Sequence, residues 1–115
     1  QLSRERWWML HEQARRWPGA IVASVWLLLR DPTPEVDAEL RGRVTVAPLK
    51  TAKLAQYPIN ALRNTAIRAV KTSHFFVCDV DLWPSLELHT ELAALDPSFW
   101  GSPQTALVIA AFTLD

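Results

Sequence analysis

Residues 20–29 read AIVASVWLLL, ten apolar or small side chains set between Pro18-Gly19 and Arg30. Both alternating faces of this run are apolar, as expected for a strand covered on both sides. It is too short to span a membrane as a helix, which needs about 20 residues. On its N-terminal side, residues 4–16 predict a helix, because Trp7, Leu10, Ala14 and Trp17 recur at the i, i+3, i+7, i+10 spacing of one buried face. Ser3 is the expected N-cap, and Pro18-Gly19 stops the segment. On its C-terminal side, the Pro-rich acidic residues 31–40 predict a short exposed helix. Residues 43–49 (RVTVAPL), rich in β-branched side chains, predict a second strand.

The alternation continues. Residues 57–70 predict a helix entered through Pro58, whose missing N–H costs nothing at that position. Residues 74–78 (HFFVC) predict a third strand ending in Asp79-Val80-Asp81. Pro84-Ser85 opens another helix with Leu88, Leu92 and Leu95 on one face, ended by Asp96-Pro97. Residues 105–112 (TALVIAAF) predict a last strand. The order α-β-α-β-α-β-α-β argues an α/β fold with a mostly parallel, helix-covered sheet.

Composition narrows the function classes. With 115 residues the chain is at most one domain. Its 50% apolar and 21% charged content is that of a core-forming sequence. Twelve basic and twelve acidic residues cancel, which removes the electrostatic footprint of a nucleic-acid binder. Cys78 stands alone, so there is no internal disulfide framework and no cysteine-rich zinc module. The start does not read as a signal peptide, since Arg4, Glu5 and Arg6 lead directly into tryptophans. A chain opening at Gln1 and stopping at Asp115 behind an apolar run is expected to be cut from a longer protein.

The chemistry gathers at Asp79-x-Asp81. In open α/β sheets, ligands collect outside the carboxyl ends of the strands. Two carboxylates there do little for stability, because each must be solvated or paired. They suit a hard divalent cation, which could bridge diphosphate oxygens and offset charge on a leaving group. A straight strand would point both to the same side. The alternative is a pair of solvated carboxylates at a strand end, paired with Arg63 or Lys71.

On the preceding helix, Ile59, Leu62, Ala66, Ala69 and Val70 line one face, and Asn60, Arg63, Asn64 and Lys71 the other. The amides and the Arg63 guanidinium could hold a nucleotide base, ribose or phosphate near the helix start. An ordinary solvated face is the competing explanation. Of the six tryptophans, Trp7, Trp17 and Trp26 read as core by periodicity, Trp8 stays open, and Trp83 and Trp100 are candidates for sugar contact. His11, His74 and His89 show no metal spacing; His89 reads as a surface residue and Cys78 as a small buried hydrophobe.

Tyr57-Pro58-Ile59-Asn60-Ala61-Leu62-Arg63-Asn64, a helix, and then Asp79-Val80-Asp81-Leu82-Trp83-Pro84-Ser85 together resemble glycosyltransferase family 49, the LARGE-type and β-1,4-glucuronyltransferase-like enzymes. Arg6-Trp7-Trp8-Met9-Leu10 and Arg16-Trp17-Pro18-Gly19 resemble the family's first helix and its WPG turn, and residues 106–112 resemble a further family strand. The resemblance implies a GT-A-like (Rossmann-like) fold over residues 1–115, partial in lacking the first strand and the C-terminal half of the domain. It implies an inverting transfer of a sugar, glucuronic acid or similar, from a UDP-sugar donor to a glycan or glycoprotein acceptor. Mn²⁺ is then expected at Asp79 and Asp81, with Asn60, Arg63, Asn64 and Asp79 on the donor side. It further implies the lumenal face of the Golgi, with any membrane anchor outside these residues.

Two positions depart from the family pattern: Ala110 and Thr113 stand where proline and then glutamate are expected. No residue here can be named as general base, and the position of Asp115 does not match the family glutamate. A catalytically inactive binding or assembly domain is therefore the alternative. A haloacid-dehalogenase-type phosphatase would also place D-x-D after an apolar strand, but Leu82 and Trp83 stand where its small or hydroxylated residue and threonine belong.

Overall fold

A computed structural model of the chain describes residues 1–53 and 55–112. Three strands form one parallel sheet in the order β1-β2-β3: β1 is Leu2–Ser3, β2 is Ile21–Leu28 and β3 is Val44–Thr51. The ladder between β2 and β3 runs from Ile21 opposite Val44 to Leu28 opposite Thr51. That between β1 and β2 is only two residues long, Leu2 opposite Val25 and Ser3 opposite Trp26. Four helices complete the described chain: α1 (Trp7–Arg16), α2 (Ile59–Arg68), α3 (Leu88–Ala93) and α4 (Pro97–Gly101).

The expected central strand is present, and its two faces are used differently. Ala23, Val25 and Leu27 join Leu2, Leu10, Ala14, Leu40, Val44 and Val80 in one buried cluster, so this face packs against α1. The alternate side chains, Ser24 and Trp26, lie outside that cluster, as does the fully buried Leu62 of α2. Because α2 packs against β2 and β3, the period of two puts the helices on opposite faces of the sheet. The chain is thus an α/β fold with a parallel sheet covered on both sides, as the alternation implied.

Turns follow from particular residues. Gly42 leads into β3 with φ of +83°, a conformation that costs glycine nothing. Gly19 is needed for a different reason: a Cβ there would stand 3.0 Å from Trp17 Nε1 and 3.1 Å from His89 Nε2. The two rings meet edge to face over it, with centroids 4.8 Å apart. His89, expected on the surface, is therefore half-buried. Arg43 donates through Nη1 to the carbonyls of Ala14 and Trp17, placing a cation on the negative end of α1.

Several local expectations need correcting. Ser3 does not cap the first helix: it is extended in β1, its hydroxyl donates to Glu5 Oε1 at 2.7 Å, and a 3₁₀ turn, Arg4–Arg6, precedes α1. The expected helix within 31–40 shrinks to the 3₁₀ turn Ala38–Leu40, with Leu40 buried rather than exposed. Pro58 is the N-cap of α2 and not its first residue. Asp96 does more than end a helix, because its carboxylate accepts from the Ser98 N–H at 2.7 Å and so caps α4.

The largest differences are residues 74–78 and 105–112, which are not strands among the described residues. A strand needs a ladder partner as well as apolar side chains. Beside β2, β1 supplies two paired residues only, so residues 74–78 find no neighbour with which to exchange hydrogen bonds. Phe75, Phe76 and Val77 stay 53%, 41% and 50% exposed, and Val108 is 89% exposed. A cavity of about 430 Å³ lies between this segment and the N-terminal half of β2, Ile21, Val22 and Ala23. Thr113 and Asp115 lie outside the described residues.

Candidate donor and metal site at Asp79 and Asp81

The carboxyl end of β1 runs directly into the turn carrying Arg6, and Tyr57 enters α2 beside Trp26, near the end of β2. Their rings meet edge to face with centroids 5.5 Å apart. Asp79 and Asp81 are brought to the same place. They are not on a strand: the Leu82 N–H donates to the Asp79 carbonyl at 3.0 Å, closing a turn with Val80 buried beneath it. The two carboxylates take separate partners.

Asp79 is the held member. Arg63 Nη2 donates to both its oxygens, at 3.0 and 3.1 Å, and Gln1 Nε2 donates to Oδ1 at 3.0 Å. The Tyr57 hydroxyl in turn donates to Gln1 Oε1. Partial burial pushes the Asp79 carboxyl up, but the hydrogen bonds from Gln1 and Arg63 and the Arg63 charge outweigh it and hold it below its ordinary value. Burial raises the Tyr57 phenol and, together with Asp79, the Cys78 thiol. Cys78 is half-buried and its Sγ donates to the Leu82 carbonyl at 3.2 Å, so it acts as part of the turn.

Asp81 is the open member. Its one ion pair among the described residues is with Arg6 Nη1 at 3.1 Å, and both side chains are 52% exposed. Such a pair is weak and exchangeable, worth about 0–1 kcal/mol. Among the described residues no group of three His, Cys, Asp or Glu side chains is arranged to hold a metal. The donor set on offer is oxygen only, with Asp81 the accessible carboxylate. That chemistry fits a hard cation completing its shell with water or phosphate oxygens.

Of the other expected donor-side residues, Arg63 reaches the site and its Nε is buried without a partner among the described residues. Asn60 and Asn64 are exposed on α2. The competing expectation for the carboxylates is thus met in part: Asp79 pairs with Arg63, whereas the cation on Asp81 is Arg6 and not Lys71. Gln13 is a residue that sequence reasoning missed. Its Nε2 donates to the carbonyls of Asp79 and Leu82 at 2.8 and 2.9 Å, tying the aspartate turn to α1. A signal existed: Leu10, Gln13, Ala14 and Trp17 follow i, i+3, i+4, i+7, which puts a glutamine on the buried stripe. The 430 Å³ cavity shares Gln1, Arg63 and Cys78 with this site but extends along the amino-terminal half of β2, the end of the sheet opposite to the one where ligands collect.

The sequence pattern of a glycosyltransferase family described as "glycosyl-transferase for dystroglycan", family 49, matches residues 31–115. The chain belongs to that family. It is similar to human xylosyl- and glucuronyltransferase LARGE2, 32% identical over 120 residues covering 97% of this chain. It is likewise similar to zebrafish xylosyl- and glucuronyltransferase LARGE1, at 33% over 124 residues and 97% of the chain. The glycosyltransferase-like protein gnt14 of Dictyostelium discoideum is 28% identical over 98 residues, 81% of the chain. The chain spans only 17%, 16% and 15% of the lengths of these three relatives. No solved structure matches it. The family match takes in both Arg63 and the Asp79-Asp81 turn, so this site lies within the matched residues. Among the described residues no helix is long and apolar enough to cross a membrane.

Proposed function

We propose that the chain is the donor-binding part of a glycosyltransferase that transfers a sugar, glucuronic acid or similar, from a UDP-sugar to a hydroxyl of a glycan acceptor. The observation that carries this reading is the unequal treatment of the two aspartates within a family-49 chain. Asp79 is fixed by Arg63 and Gln1, and Asp81 is exposed with only a weak counter-ion. Hydrogen bonds such as those on Asp79 can orient a carboxylate for a metal, and Asp81 beside it is accessible.

In this reading Asp81 holds a divalent cation, Mn²⁺ by family resemblance, with Asp79 assisting or meeting the ribose. The cation, when bound, neutralises charge on the diphosphate leaving group. The chain's own residues do the rest. Arg63 orients Asp79 through Nη2. Asn60 and Asn64, exposed on α2, present amides to the donor. Arg6, released from Asp81, remains as a cation for phosphate oxygens. An inverting transfer also requires a base on the acceptor hydroxyl, a role this reading assigns to no residue of the chain. Residence on the lumenal side of the Golgi, through an anchor outside these residues, belongs to the same reading.

The test is a tryptophan-fluorescence titration with UDP, with and without Mn²⁺, on the protein and on Asp81→Asn. Trp83, two residues from Asp81, is placed to report occupancy. A saturable, Mn²⁺-dependent change that the variant loses is expected; equal affinity in the variant would return Asp81 to a surface ion pair. A second reading, a binding or assembly domain without catalysis, is favoured by one observation: both carboxylates already have protein cations, Arg63 and Arg6. Mn²⁺-dependent hydrolysis of UDP-glucuronic acid would exclude it.

A further inference from the structure

Four of the six tryptophans are buried or half-buried; the other two, Trp8 and Trp83, are 55% and 47% exposed. Those two are each other's neighbours, edge to face with ring centroids 6.5 Å apart. Over Trp83 lies the Arg16 guanidinium, its central carbon 5.7 Å from the ring centroid. Trp8 and Arg16 are eight residues apart on α1 and so share one face of it. Trp83 follows Asp81 by two residues, and the turn between them is tied to the same helix by Gln13. The remaining candidate for sugar contact, Trp100, is half-buried with its ring against His74 and Phe99.

Trp8 and Trp83 are not the only exposed aromatic side chains among the described residues, since Phe75 and Phe76 are exposed elsewhere. These two indoles touch each other, however, and contiguous exposed aromatic surface marks a place where something binds. The chemistry here is particular: two indoles, the Arg16 guanidinium against one of them, and a second guanidinium, Arg6, on Asp81. A pyranose fits this combination. Its C–H face is apolar and lies against aromatic rings, while its equatorial hydroxyls need donors and acceptors around the edge. We propose that Trp8, Trp83 and Arg16 form a stacking platform for a pyranose ring of the glycan acceptor, held next to Asp81. That this sugar is the acceptor's rests on the donor reading of Asp81; that a pyranose binds here does not.

The experiment follows the indole N–H signals of ¹⁵N-labelled protein during titration with methyl β-D-xylopyranoside and, separately, methyl β-D-glucuronide at millimolar concentrations. With either glycoside the signals of Trp8 and Trp83 are expected to shift saturably. Trp8→Ala should lose the shift at Trp83, and Trp8→Phe should keep part of it. The four other indole signals report that each variant is folded. A parallel Mn²⁺–UDP titration of the unaltered protein, followed by calorimetry, reads the donor site independently of the platform. Shifts confined to the other four indoles, or none with either glycoside, overturn the platform. Glycoside shifts at Trp8 and Trp83 without any Mn²⁺–UDP binding would uphold it and remove the donor reading instead.

Discussion

Residues 21–28 and residues 74–78 are both apolar runs, and the protein treats them in opposite ways. The first is β2, hydrogen-bonded to β3 along its whole length, with Val25 fully buried and Leu27 1% exposed. The second ends in the residues that carry the candidate chemistry, yet among the described residues it makes no ladder, and its phenylalanines stay near half exposure. Side-chain hydrophobicity is common to both. The neighbour is not: β2 has one on either edge, while residues 74–78 face a gap beside a two-residue β1. Apolar content makes a segment able to enter a sheet, and a hydrogen-bonding partner decides whether it does.

The contrast can be broken by mutation. Leu27→Ala should cost about 3 kcal/mol, from lost transfer energy and the cavity left behind. Urea unfolding measures it, and a loss below about 1 kcal/mol would show that β2 is not the centre of the core. Gln13→Ala should cost about 1–2 kcal/mol by removing the two hydrogen bonds that tie the aspartate turn to α1. Amide exchange should accelerate at residues 79–83 and stay slow in β2. Equal acceleration in both would mean that Gln13 supports the whole sheet.

Arg63→Ala should cost about 1 kcal/mol at neutral pH, since the pair with Asp79 is partly exposed. Its pH dependence has a definite sign. The folded Asp79 carboxyl lies below its ordinary value, so its contribution is fully present above that value and is lost as the pH falls through the lower one. The stability difference between the protein and Arg63→Ala should therefore close only on the acid side of about pH 4. A difference that already closes between pH 5 and 7 would point to another group. The smallest effect is expected at Phe75→Ala, about 0.5 kcal/mol or less, as for surface positions. A cost near that of Leu27→Ala would mean that the segment does pack as a strand.

Much of this was legible because it rests on short-range regularities. The periodicity of Leu10 and Ala14 found α1, the two-sided apolar run found β2, and Pro18-Gly19 marked the stop between them. Asp79 and Asp81 stood out because charged residues directly after an apolar run need a reason to be there. Their partners did not stand out. Arg6 lies 75 residues from Asp81 along the chain, and Gln1 lies 78 from Asp79. Neither distance leaves any trace in spacing. Ser3 misled because an N-cap serine and an edge-strand serine look alike until the ladder is known.

Residues close together in the chain were enough for the α/β class, the central strand, the family and the two aspartates. They were not enough for the full alternating order, of which two expected strands are missing among the described residues. Only the tertiary structure decided that the aspartates are unequal, with Asp79 clasped by Arg63 and Asp81 left to solvent and Arg6. It alone left residues 74–78 outside the sheet and gathered Trp8, Arg16 and Trp83 beside the site. The physical reason is the same in each case: ion pairs, ladders and ring contacts are made between residues that only the folded chain brings within reach.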